Sequence, residues 1–282
     1  MTKINIYIDF EAISQPFSKH ANLIENFPFA YTIGLFKGKK IKTKSYVFNF
    51  EKDDVENVFS IVKKQIIKDI KFLLANKKFQ INEKTIKFIG WAPHLEIKIL
   101  SNVFPRIEVD KLNKNHDLSL ERLTPEIKGE YFKNLQKLVK ENLKSSFIEK
   151  RISGASGALA ALAGYLLYSK VDSGVEKYTF SFSARDLIKE IKRYSKDDVV
   201  RMMFLKQNMN LYHKREQKAL EIITKKQKII RSILKRKKLL SELKKISPDK
   251  TIGEIKEETQ KNINKLTTEK EKIDDKLDNL DK

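Results

Sequence analysis

Along the first fifty residues, apolar side chains recur at every second position. Ile4, Ile6, Ile8 and Phe10 alternate with Asn5, Tyr7, Asp9 and Glu11, a pattern that predicts a strand over Ile4–Glu11 with one apolar face. Two further strand-like runs, Phe29–Lys37 and Lys42–Phe50, are separated by Gly38, Lys39 and Lys40, as in a hairpin. The spacing then becomes helical, with Val55, Val58, Phe59, Val62, Ile66, Ile70 and Leu73 on one stripe. Thr85–Trp91 reads as a buried strand, and Pro93 opens a helix through Leu95, Ile99, Leu100 and Val103, since proline is tolerated in a first helical turn. Either Arg106–Leu112 or His116–Leu120 supplies a further strand. Helices are expected over Pro125–Ile148, Gly157–Tyr168 and Ala184–Asn208. Three meandering strands followed by alternating helix and strand predict an α/β fold, a mixed sheet flanked by helices.

From Met209 the pattern changes. A broken apolar stripe runs from Ile222 to Ile246, stops at Ser247-Pro248-Asp249, and resumes from Ile252 to Leu280 at close to 3.5-residue spacing. Serine, proline and aspartate together form a helix stop followed by a new cap. Two helices folding back as a hairpin or coiled coil are the expected tail; one long frayed, charged segment is the alternative. The expected domains are therefore residues 1–208 and 209–282.

The formal charge is +21, from 58 basic and 37 acidic residues. Such a balance favours anionic partners, nucleic acid first. Part of the lysine excess matches the Lys, Ile and Asn bias of an AT-rich genome. The excess is uneven: Lys214–Ile246 holds 13 basic and 3 acidic residues, a net +10, whereas Asp249–Lys282 holds 8 and 10, a net −2. Pairing the two helices would relieve part of that repulsion. The chain has no cysteine, which excludes disulfides and thiolate metal sites and suits a reducing, cytoplasmic interior. Its opening residues run straight into a strand without a signal-peptide pattern. The most apolar run, Ala155–Tyr168, is too short to span a bilayer and reads as a buried helix of small residues.

Candidate chemistry begins at the end of the first strand. Asp9 and Glu11 share a face, roughly 7 Å apart. Two buried carboxylates repel unless something positive joins them, which points to a divalent metal; a strand that simply ends in a solvated turn is the alternative. Later the chain offers Glu96 just inside the helix after the fourth strand. On the last helix before the tail, Tyr194 and Asp198 lie four residues apart and so share a face. Asp117 is a competing fourth acid.

In that order, the set resembles the tyrosine-bearing DEDD 3′–5′ exonucleases of the ribonuclease-H-like superfamily, over roughly residues 1–210. Ile8–Glu11 (IDFE) looks like the first motif, His94–Leu100 (HLEIKIL) like the second and Tyr194–Val199 (YSKDDV) like the third. The chain departs from the pattern in its second motif, which usually carries Asp with an Asn four residues earlier; here Glu96 and Ala92 stand there. The resemblance implies a ribonuclease-H-like sheet, two Mg²⁺ or Mn²⁺ ions and hydrolysis of single-stranded DNA or RNA from its 3′ end. It implies Asp9 bridging both ions, Glu11 and Asp198 completing the first site and Glu96 holding the second through water. Tyr194 would orient or deprotonate the attacking water. Phe10, Trp91 and His94 flank the acids and offer base stacking; ordinary core positions are the alternative for Phe10 and Trp91. Lys214, Arg215 and Lys218 begin a basic helix suited to the phosphate backbone. A nucleic-acid binder without catalysis, and a coiled-coil interaction protein pairing with a partner or a second copy through the tail, are the competing readings.

Overall fold

A computed structural model of the chain describes residues 3–113, 118–142, 156–172, 174–175, 181–243 and 250–278. The chain forms two compact units. One comprises residues 1–116 and 126–207; the other comprises 117–125 and 208–282. The short segment 117–125 thus joins the tail, although it lies inside the front half of the sequence.

The first unit is built on a five-stranded mixed sheet: β1 (Ile4–Ile13), β2 (Phe27–Lys37), β3 (Lys40–Val47), β4 (Ile86–Gly90) and β5 (Val109–Lys111), in the order β3-β2-β1-β4-β5. The first three strands are antiparallel neighbours, whereas β4 runs parallel to β1 and β5 parallel to β4. β5 lies within the Arg106–Leu112 stretch expected as a strand, whereas His116 and Asp117 of the other stretch lie outside the described residues.

The sheet faces differ in character because of the period-two pattern. On one face Ile6, Ile8 and Phe10 align with Ile33 and Tyr31, all at most 3% exposed. That face is covered by α2 (Val58–Leu73) and α6 (Ser156–Ser169). Asp69 of α2 accepts the Tyr31 hydroxyl at 2.8 Å, and Gly164 of α6 lies against the Phe29 ring. The apolar Ala155–Tyr168 run is therefore a core helix. The other face carries Tyr7, Asp9 and Glu11, paired across to Gly34, Thr32 and Ala30. It is covered by the long α7 (Ala184–Gln207).

The helix expected over Pro125–Ile148 is shorter. Residues 126–132 are irregular, Phe132 has a φ of +57°, and α5 spans only Lys133–Asn142; residues beyond 142 in that stretch lie outside the described ones. The irregular piece is held by side chains of α7, as set out below, and these replace helical hydrogen bonds. Among the described residues this unit also holds α1 (Phe17–His20), α3 (His94–Val103) and a short 3-10 turn at Val55–Asn57.

In the second unit α8 (Met209–Leu243) and α9 (Lys250–Asp278) pack through Ile229, Ile233, Ile263 and Ile273. Lys226 of α8 pairs with Asp274 near the end of α9. So few residues separate the helices that this pair requires an antiparallel return. The small α4 (Leu120–Leu123) docks on α8, where the guanidinium of Arg215 donates to the Leu123 carbonyl at 2.8 Å. Among the described residues, no helix is long and apolar enough to cross a membrane.

Candidate active site

Four carboxylates from three distant segments neighbour one another in the first unit. The arrangement follows from where the strands stop. β1 pairs with β4 from Ile4↔Ile86 to Tyr7↔Ile89 and then runs on alone on that side. Asp9 and Glu11 lie on this overrun, beyond the carboxyl end of β4, and a bulge follows Glu11. Bulges of this kind re-aim side chains next to functional sites. Crevices at the carboxyl ends of parallel strands are the usual ligand positions of open α/β sheets.

Glu96 arrives in the first turn of α3, directly after β4. Its Oε1 accepts the Phe10 backbone N–H at 3.3 Å, and the residue is 8% exposed. Asp198 arrives on α7, which lies close to the sheet because the facing positions of β2 are small. A Cβ on Gly34 would stand 2.6 Å from Val199 Cγ1 and 2.7 Å from Met203 Sδ. Gly34 pairs with Tyr7, so this close approach sits one alternation from Asp9 on the same face.

The electrostatics reflect the crowding. Burial pushes the Asp9 carboxyl well above the usual carboxylate range, and Glu11, Asp198 and Glu96 push it further. Burial and then Asp198 do the same to Glu11. Burial raises Glu96 to about 7. Among the described residues, buried Asp9 Oδ2 has no hydrogen-bond partner, nor has the hydroxyl of Ser195, which is 1% exposed and neighbours Asp9 from α7. Two unpartnered buried oxygens at a cluster of acids are costly.

One cation of the chain already enters the cluster. Arg201 donates to Asp198 Oδ1 at 2.9 Å from a side chain that is 2% exposed. Among the described residues, no three acidic or histidine side chains already converge on one ion position. The donor set nevertheless suits a hard divalent cation: all oxygen, negatively charged, partly unsatisfied and free of sulfur.

The other expected site residues divide. Tyr194 is half-buried on α7, its ring edge-on to Tyr131 at 5.1 Å and to Phe132 at 5.6 Å. Trp91 is half-buried and His94 exposed, both in or next to the turn that delivers Glu96. Phe10 requires correction. It is 3% exposed and its ring packs in the core 5.7 Å from that of Tyr31, on the sheet face away from the acids, so it offers no surface to a base. Arg215 requires correction too: it is 5% exposed and spends its guanidinium on Leu123, whereas Lys214 and Lys218 are exposed. Asp117 lies outside the described residues.

Sequence reasoning passed over Ser195 and Arg201. Helical spacing signals both, since positions 195, 198 and 201 share the face of α7 that carries Asp198. Comparison of the chain with protein-family models, curated proteins and solved structures finds no match.

Proposed function

We propose that the protein is a metal-dependent 3′–5′ exonuclease of ribonuclease-H-like fold acting on single-stranded DNA or RNA. The observation that carries this reading is that Glu11, Glu96 and Asp198, from β1, α3 and α7, all act on the buried Asp9 carboxyl beyond the carboxyl end of β4, where Asp9 Oδ2 has no partner among the described residues. The strand order β3-β2-β1-β4-β5, with its antiparallel start and parallel finish, supports the same reading.

Asp9, Glu11, Glu96 and Asp198 are the residues that would hold Mg²⁺ or Mn²⁺. Two such ions, when bound, supply a nucleophilic water and offset charge on the attacked phosphate. All three other acids act on the Asp9 carboxyl, and Asp9, Glu96 and Asp198 act on that of Glu11. Tyr194, one helical turn from Asp198, is the group that would orient the water by its hydroxyl. Trp91 and His94 offer surfaces for a terminal base, and Lys214 and Lys218 begin a basic helix for the phosphate backbone. The α8–α9 hairpin also offers a coiled-coil surface to a partner protein or second copy.

A second reading, a nucleic-acid-binding protein without hydrolysis, draws on one observation: Arg201 already occupies one oxygen of Asp198. Incubating 3′- and 5′-labelled single strands of DNA and RNA with Mn²⁺, Mg²⁺ or EDTA separates the two. The exonuclease reading expects Mn²⁺-dependent shortening from the 3′ end. Binding without digestion under every metal condition supports the second reading and ends the first.

A further inference from the structure

The irregular segment 127–132 is tied to α7 by four of its side chains. Arg201 donates to the Ile127 carbonyl at 2.8 Å, and Arg193 donates to the Glu130 carbonyl. Asp197 accepts the Tyr131 hydroxyl at 2.8 Å, and Glu190 accepts the Phe132 backbone N–H at 2.9 Å. Residues 190, 193, 197 and 201 recur at helical spacing, so one stripe of α7 holds the whole strap. The strap in turn supplies both rings against which Tyr194 packs. Gly129 makes its fold possible, because a Cβ there would stand 1.9 Å from the Tyr131 hydroxyl.

Arg201 joins this strap to the acid cluster. One end of its guanidinium grips Asp198 and the other grips Ile127, while its Cζ lies 5.6 Å from the centre of the Tyr131 ring. A carboxylate has enough lone pairs to accept from Arg201 and serve a cation at once. A guanidinium fork fixes direction as well as charge, which a lysine ammonium does not.

Resting on the metal-site reading, we infer that Arg201 is a positioning residue that holds Asp198 in its cation-binding orientation and couples cation binding to the 127–132 strap around Tyr194. Occupation of the acid site steadies the strap, and loosening the strap weakens the acid site.

The test uses the full-length chain with Mn²⁺ as the probe. Arg201→Lys keeps the charge but loses the fork, and weakens Mn²⁺ binding about tenfold or more, the usual cost of removing a group that orients a ligand. In an Asp198→Asn background the same change leaves the remaining Mn²⁺ affinity where it was; equal losses in both backgrounds would mark Arg201 as structural only and overturn the inference. Gly129→Ala acts through Tyr131 and leaves the Asp198 and Arg201 side chains themselves unchanged, and it too lowers Mn²⁺ affinity. Hydrogen exchange of the parent needs no variant: adding Mn²⁺ slows exchange of the 127–132 amides. If the parent binds Mn²⁺ but 127–132 exchange as fast as before and Gly129→Ala binds as tightly as the parent, the coupling is wrong while the metal site stands. If the parent binds no Mn²⁺, the metal-site reading falls and this inference with it.

Discussion

Glu96 Oε1 accepts the backbone N–H of Phe10 at 3.3 Å, joining residues 86 positions apart in sequence. The bond lets the first turn of α3 reach back to the strand that carries Asp9 and Glu11. The length of the glutamate side chain gives its carboxyl the reach to lie against β1.

Glu96 makes the stability of the metal-free protein depend on pH. An ordinary glutamate in the unfolded chain releases its proton near 4.5, whereas folded Glu96 keeps it up to about 7. Between those values the folded state binds the extra proton, so this contribution to stability falls as pH rises and is fully present only below the lower value. Glu96→Gln keeps the acceptor for Phe10 and removes the titration. At pH 8 without metal it should be more stable than the parent, by on the order of 1–3 kcal/mol, and the difference should vanish near pH 4. Urea unfolding at the two pH values measures this.

Gly34 should matter for the site although it bears no functional group. Gly34→Ala drives a methyl into Val199 and Met203 and pushes the Asp198 helix off the sheet. Overpacking of this kind costs about 1–3 kcal/mol. Mn²⁺ affinity should fall alongside stability, as calorimetry and thermal melts would show. A variant that loses stability yet binds Mn²⁺ as before would separate the helix position from the site.

Phe10 and Trp91 should part company. Phe10→Ala empties core volume and should cost about 3–5 kcal/mol, while Phe10→Leu should leave single-strand affinity unchanged. Trp91→Ala should weaken that affinity, with stacking worth about 1–3 kcal/mol per base. Fluorescence anisotropy with short labelled strands, beside melting curves, distinguishes the two.

Much of the first unit was legible because its signals are local. Alternation in INIYIDFE, the link at Gly38–Lys40 and the helical stripe from Val55 to Leu73 each report a burial pattern that the sheet and α2 then satisfy. Asp9, Glu11, Glu96 and Asp198 were legible as candidates for a similar reason: each sits at a strand end or on one face of a helix. What escaped depends on long-range partners. Phe10 sits beside Asp9 in sequence but on the opposite side of the sheet, a consequence of the very alternation that marks the strand. Arg215 looks like its neighbours Lys214 and Lys218 until Leu123 is placed against it. The strap at 127–132 has apolar spacing that suits a helix, and only the stripe of charged residues on α7 gives its backbone other partners.

The basic helix should show its role in salt dependence. Lys214→Gln and Lys218→Gln should each weaken binding across sequences and lower the salt slope by about 1 if each lysine meets a phosphate. Arg215→Gln should instead lower the melting temperature through loss of the Leu123 anchor. Anisotropy titrations between low and moderate salt, paired with melts of the same variants, measure both effects.

Asp9 is buried among the other three carboxylates, and the proposed hydrolysis depends on it. The most direct test follows digestion of a 5′-labelled single strand in Mn²⁺ by the parent and by Asp9→Asn, an isosteric change that removes one negative charge. The parent should shorten the strand stepwise from its 3′ end, and Asp9→Asn should be slower by at least about a hundredfold. A parent that leaves the strand intact, or an Asp9→Asn protein that digests it as fast, would contradict the account.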